Sequence, residues 1–165
     1  MGGGTEVLQN LNPRLFVKCD DRATSEDDWN ENVTDEFDPR EIFDLIRHIS
    51  DPEHPLTLEE LNVVSVDRIT VDNKSNRIQV LFTPTIPHCS LATLIGLTIQ
   101  VQLLRNVPPR FKVRVKITPG THASETAINK QMADKERVSA AMENADLLRA
   151  INKSLLAVEE HYDKR

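Results

Sequence analysis

The chain has 165 residues, 39% of them hydrophobic and 28% charged, which fits one domain with a modest core and a tail. Aromatic residues make up 4% and the net charge is −6, so the stacking surface and basic footprint of a nucleic-acid binder are missing and no direct nucleic-acid partner is expected. Two cysteines, Cys19 and Cys89, are too few for a disulfide scaffold, and no apolar run approaches the ~20 residues of a membrane span.

The opening MGGGTEVLQNLNPR has no apolar segment of the length a secretory signal needs, and Glu6 breaks the myristoylation pattern. The sequons at Asn32, Asn73 and Asn152 then read as chance, and the chain as a reduced, intracellular, soluble protein with no membrane partner. Residues 1–37 hold a glycine run and the acidic DDRATSEDDWNEN, a composition that predicts a disordered acidic tail. Trp29 or Phe37 offers that tail an aromatic anchor for docking on a partner.

Order is expected from Asp38. This residue is a good N-cap, Pro39 suits the first helical turn and Glu41 completes a capping box. Ile42, Leu45, Ile46 and Ile49 then fall on one helical face. Pro52 and Pro55 stop the helix, and Thr57 with Glu60 reads as a capping pair for one short turn. Asp51, Glu53 and His54 serve as turn residues between the prolines.

Two strands follow, NVVSVDRITV and RIQVLFT, the second with Ile78, Val80 and Phe82 on one face. The turn segment DNKSN joins them into a hairpin. Pro84 and Pro87 close the second strand. The helix that begins at Cys89, CSLATLIGLTIQVQLL, carries an apolar stripe of Leu91, Leu94, Ile95 and Thr98, and Gly96 within it marks a close approach by another element. FKVRVKI alternates strictly: Phe111, Val113, Val115 and Ile117 face inward, Lys112, Arg114 and Lys116 outward. A turn at Pro119-Gly120 leads into helix at or after Ser124. The charges of ADKERV read as a solvated face, with Arg137 available to a partner. Leu147, Leu148, Ile151, Leu155 and Val158 mark a final amphipathic helix capped by Asn144. The order helix, strand, strand, helix, strand, helix, helix predicts a small α+β fold over residues 38–160, with 161–165 as a tail. Whether the third strand pairs with the first or the second is left open by the pattern.

Chemistry concentrates at TPTIPHCSLATLIG. Cys89 or Ser90 falls at the cap or first turn of a helix, where free amides and the macrodipole favour an anion such as a thiolate. Protonated His88 adds positive charge beside it. The competing reading is that Ser90 caps the helix and Cys89 fills a pocket. Thr121 and His122 approach Cys89 if the third strand ends near the helix mouth. A hydrolase lacks a recognisable third group, and a thiol oxidoreductase has only Cys19 to resolve it. A metal bound through Cys89 would need ligands shared with a partner chain or a second copy, which also leaves a homodimer open.

The segments REIFDLIRHISDPEHPLTLEELNVV, LFTPTIPHCSLATLIGL, PPRFKV, ITPGTHASE and ADKERVSAAMEN resemble the eukaryotic cytosolic iron–sulfur assembly component 2 proteins, relatives of the bacterial SufT and PaaD proteins. The match runs from about Arg40 to Asn144, and DPEHPLTLEELNVV and ITPGTHASE look more like the B branch. The resemblance implies the α+β iron–sulfur assembly fold and a non-enzymatic adaptor in the cytosolic targeting complex. In that role it joins a WD-repeat propeller protein and a HEAT-repeat scaffold. The complex hands 4Fe–4S clusters to cytosolic and nuclear apoproteins, with a link to chromosome segregation. It implies a cytoplasmic and nuclear location, no stably bound cofactor beyond a transient cluster, and a reactive cysteine at Cys89 within PHCS. From the first 37 residues and LLAVEEHYDKR the resemblance carries nothing over. A thiol-based redox enzyme or a redox sensor using Cys89 is the alternative.

Overall fold

The computed structural model describes residues 15–18, 20, 36–85 and 87–164. Its elements are α1 (Pro39–Ile46), β1 (Ile69–Asp72), β2 (Arg77–Phe82), α2 (Cys89–Asn106), β3 (Lys112–Ile117), α3 (Glu125–Ala133), α4 (Lys135–Glu143) and α5 (Ala145–Asp163). This is the expected α+β class. The sheet has the order β1-β2-β3. β1 and β2 are antiparallel, and β3 lies parallel to β2 with Arg77 opposite Lys112 and Phe82 opposite Ile117. The open question of the third strand's neighbour is thereby answered: a parallel partner needs a crossover, and α2 supplies it.

α1 forms as its cap predicts. Asp38 Oδ1 accepts from the Glu41 amide at 2.8 Å and Glu41 Oε2 accepts from the Asp38 amide at 3.2 Å. α2 is the central helix, packed against β3, α1, α3 and α5. The four-residue stripe expected for it is too narrow: Ala92 and every residue from Ile95 to Leu103 are buried. Its polar residues are accommodated by bonds such as Gln102 Nε2 to the Leu45 carbonyl at 3.1 Å. Gly96 behaves as expected, because a Cβ there would meet Phe82 Cζ at 3.1 Å and Met132 Sδ at 3.2 Å.

Other expectations are corrected. The first strand is shorter than NVVSVDRITV suggests. Asn62 turns the chain at φ 54° and a 3₁₀ turn covers Val66–Arg68, so the buried Val63 and Val64 serve the core from a loop. Three helices, not two, follow β3. Asp134, in extended backbone, ends α3 and caps α4 by accepting from the Glu136 and Arg137 amides. α5 continues past residue 160 to Asp163; His161 stacks on His48 with ring centroids 3.7 Å apart, and Tyr162 Oη donates to the Asp44 carbonyl. Those residues belong to the fold, not to a tail.

Phe37 is likewise part of the fold. Its ring meets Phe111 edge-on at 5.3 Å, and the Asn73 amide clasps its backbone, accepting from the Phe37 N–H at 3.1 Å and donating to its carbonyl at 2.8 Å. Trp29 lies outside the described residues. Upstream, Phe16 N donates to the Glu60 carbonyl and Lys18 pairs with the Glu60 carboxylate at 2.8 Å. Burial alone would raise the Glu60 pKa, but the bonds from Lys18 and Thr57 outweigh it and hold the carboxyl below its ordinary value. One buried ion pair crosses the core. Arg47 Nε and Nη2 donate to the two oxygens of Glu59 at 2.8 and 2.9 Å, while Nη1 reaches Asp44 at 3.1 Å.

Candidate functional site

Parallel pairing brings the C-terminal ends of β2 and β3 to one edge of the molecule, the usual location of sites built on parallel strands. Past β2 the chain turns through Pro84 and Pro87 into α2; past β3 it turns at Gly120, φ 78°, into α3. The two strand ends are laced together. Thr118 N donates to the Phe82 carbonyl at 2.8 Å, Thr83 Oγ1 donates to Thr118 Oγ1 at 2.9 Å, and Arg68 Nη1 donates to Thr83 Oγ1 at 3.0 Å.

Cys89 is the first residue of α2, and it is exposed. His88 occupies the N-cap position in extended backbone and makes no side-chain capping bond; Ser90 lies inside the first turn, exposed, and is not the cap. Of the two readings weighed for Cys89, pocket filler and thiol at a helix mouth, the geometry matches the second. First-turn amides with no partner in the helix face this end, and they favour an anion.

Ser124 is the residue that sequence reasoning missed. Cys89 Sγ lies 2.9 Å from Ser124 Oγ. Ser124 is the N-cap of α3, yet its hydroxyl makes no capping bond to that helix. The hydroxyl that would ordinarily cap faces the thiol instead, and its O–H can rotate to donate when the sulfur is ionised. Two helix N-termini thus converge on one sulfur. His122 acts one step back: its Nδ1 accepts from the Ser124 amide at 3.0 Å, which places the imidazole proton on Nε2, a buried atom without a hydrogen-bond partner among the described residues. Thr121 turns away and donates to the Thr118 carbonyl at 2.7 Å. The site therefore unites Cys89, Ser124 and His122, with Thr121 shaping the turn. The signal for Ser124 was its place in ITPGTHASE as a helix cap, since caps of two helices entering from one sheet edge are brought side by side.

Replacing Ser124 by alanine is expected to slow alkylation of Cys89 by iodoacetamide at neutral pH by roughly three- to tenfold, the effect of losing one donor to a partly solvated thiolate. Unchanged alkylation would mean the hydroxyl does not act on the sulfur.

Asp51 Oδ1 accepts from the Glu53 and His54 amides at 2.8 and 3.1 Å, the turn expected between the prolines. Arg137 is exposed beside Asp134 on α4. Cys19 lies outside the described residues, and among the described residues no group of three or more His, Cys, Asp or Glu side chains is placed to hold a metal ion.

Comparison with known proteins adds the lineage. The family profile of iron–sulfur cluster assembly proteins matches residues 39–117, from the start of α1 to the end of β3. The chain is 59% identical over 150 residues to MIP18 family protein galla-2 of Drosophila melanogaster, covering 91% of this chain and 96% of the relative. It is 58% identical over 156 residues to cytosolic iron-sulfur assembly component 2B of Mus musculus, covering 94% and 96%. The protein of the same name in Dictyostelium discoideum is 47% identical over 160 residues, covering 90% and 98%. Identity of this extent over nearly the whole length, with the fold and the PHCS helix mouth in place, makes the chain a member of the MIP18 family of iron–sulfur cluster assembly proteins, that of cytosolic iron–sulfur assembly component 2B.

Proposed function

We propose that this chain is a non-enzymatic adaptor of the cytosolic iron–sulfur targeting complex, acting in cytoplasm and nucleus. It joins a WD-repeat propeller protein to a HEAT-repeat scaffold and presents Cys89 to the cluster cargo or to the recipient apoprotein. The family's link to chromosome segregation follows if those recipients include DNA polymerases, primase and helicases. The observation that carries the reading is an exposed thiol at the meeting point of two helix N-termini. A 4Fe–4S cluster takes about four thiolate ligands, and this site supplies one. Contact with the cargo is therefore transient, with the remaining ligands coming from a partner, the recipient or a second copy. A thiol enzyme is less well supported, because the hydrogen-bond partner of Sγ is a hydroxyl and not an imidazole that could serve as base.

The test is affinity purification of tagged wild type and Cys89→Ala from cells, followed by mass spectrometry and assay of apoprotein maturation. Both proteins are expected to capture the WD-repeat and HEAT-repeat partners. Only wild type is expected to support maturation, with the variant losing about tenfold or more if the sulfur is a direct ligand. Failure of both to capture the partners would remove the adaptor reading. Full maturation by Cys89→Ala would remove the thiol role.

A further inference from the structure

The sheet has a second face that the site does not use. Alternation turns Ile78, Val80 and Phe82 of β2 and Val115 and Ile117 of β3 into the core. Register then places Arg77 beside Lys112, Gln79 beside Arg114 and Leu81 beside Lys116 on the opposite face. Arg77, Lys112 and Arg114 are exposed and Lys116 is half-buried. The acid on this face is Asp72, directly opposite Arg77; its Oδ1 is tied into the hairpin turn by the Lys74 and Ser75 amides. Lys112, Arg114 and Lys116 make no ion pair among the described residues. On a chain of net charge −6, three uncompensated cations in one row are a local reversal of sign.

Alternate residues of a strand are spaced by about 6.6 Å, so the row forms a straight line of positive charge with the period of an extended chain. We propose that this face docks an extended acidic segment of a partner protein, its carboxylates at alternate positions meeting Lys112, Arg114 and Lys116. Leu81, half-buried on β2 beside Lys116, gives the segment an apolar contact. Charge complementarity of this kind sets register and speeds encounter more than it adds raw affinity. Single-stranded nucleic acid fits less well: among the described residues the strands' outer face carries no aromatic side chain on which a base can stack.

The probe is a fluorescein-labelled peptide of alternating Glu and Ser, about twelve residues long to exceed the row, followed by anisotropy with the full-length chain. Binding is expected at about 50 mM salt and is expected to weaken severalfold at about 300 mM, as screening shortens. Arg114→Glu with Lys116→Glu should weaken it by about tenfold or more, while Arg137→Glu on α4 and Cys89→Ala stay within about twofold. Should the double Glu variant melt early, Arg114→Gln with Lys116→Gln decides, with a smaller loss in the same direction expected. The proposal falls if the peptide does not bind at low salt, or if a folded double variant binds like wild type. It also falls if an oligouridylate of equal charge binds more tightly and is lost in the same variants. Self-association abolished by those variants would instead assign the face to a second copy.

Discussion

Replacing Glu59 by alanine is expected to cost about 3–5 kcal/mol of folding stability, the loss that follows when one partner of a buried ion pair is removed. Both side chains are almost out of water, 3% exposed for Arg47 and 5% for Glu59. Burial opposes the charge on Arg47, but the bonds from Glu59 and Asp44 outweigh it and raise the guanidinium above its ordinary value. The Phe43 ring lies 5.0 Å beneath that guanidinium. Without Glu59, the Nε and Nη2 donors lose the buried carboxylate that faces them. The midpoint of thermal unfolding should fall on the order of 10 °C. Removing both charges with Arg47→Met and Glu59→Leu should recover most of the loss, to within about 1–2 kcal/mol of wild type. Urea unfolding of the single and double variants checks this. A Glu59→Ala loss below about 1 kcal/mol would show that the pair is dispensable.

Phe82→Ala should be as costly, about 3–5 kcal/mol, because a fully buried ring is removed from between the sheet and α2. The close approach at Gly96 sharpens the test. Alanine at a helix interior gains about 1 kcal/mol over glycine. Here the added Cβ meets the Phe82 ring and the Met132 thioether, and overpacking of about 1–3 kcal/mol exceeds that gain. Gly96→Ala is therefore expected to destabilise wild type. In a Phe82→Leu background the ring is gone, and the same change should become neutral or favourable, a coupling of about 1 kcal/mol or more. Equal effects in the two backgrounds would mean that Phe82 does not set the approach of α2.

Much of this could be read before the fold was known, and the failures have local causes. The capping box at Asp38 and the alternation of FKVRVKI are set by neighbouring residues, so both appear where expected. Asn62 opens the β-branched run in left-handed backbone and a 3₁₀ turn at Val66–Arg68 breaks it, which a propensity reading passes over. The α3–α4 break has no proline or glycine to announce it; an aspartate ends one helix and caps the next. The stripe of Leu91, Leu94, Ile95 and Thr98 understates the burial of α2 because β3, α1, α3 and α5 all pack against it, a tertiary enclosure that a helical period does not carry. At the site, the position of Cys89 at the start of α2 was legible from Pro84 and Pro87 before it. Its partner Ser124 was not, because their meeting depends on β3 running parallel to β2, a fact of topology that strand patterns do not carry.

That parallel pairing also sets the order of assembly. The β1–β2 hairpin closes over a short turn, an event of about 1–10 μs. β3 pairs with β2 across the α2 crossover, a non-local closure of the kind that slows folding. Cys89 and Ser124, 35 positions apart, meet only on completion of this step. A copy in which β3 has not paired with β2 therefore carries the cysteine without Ser124 beside it.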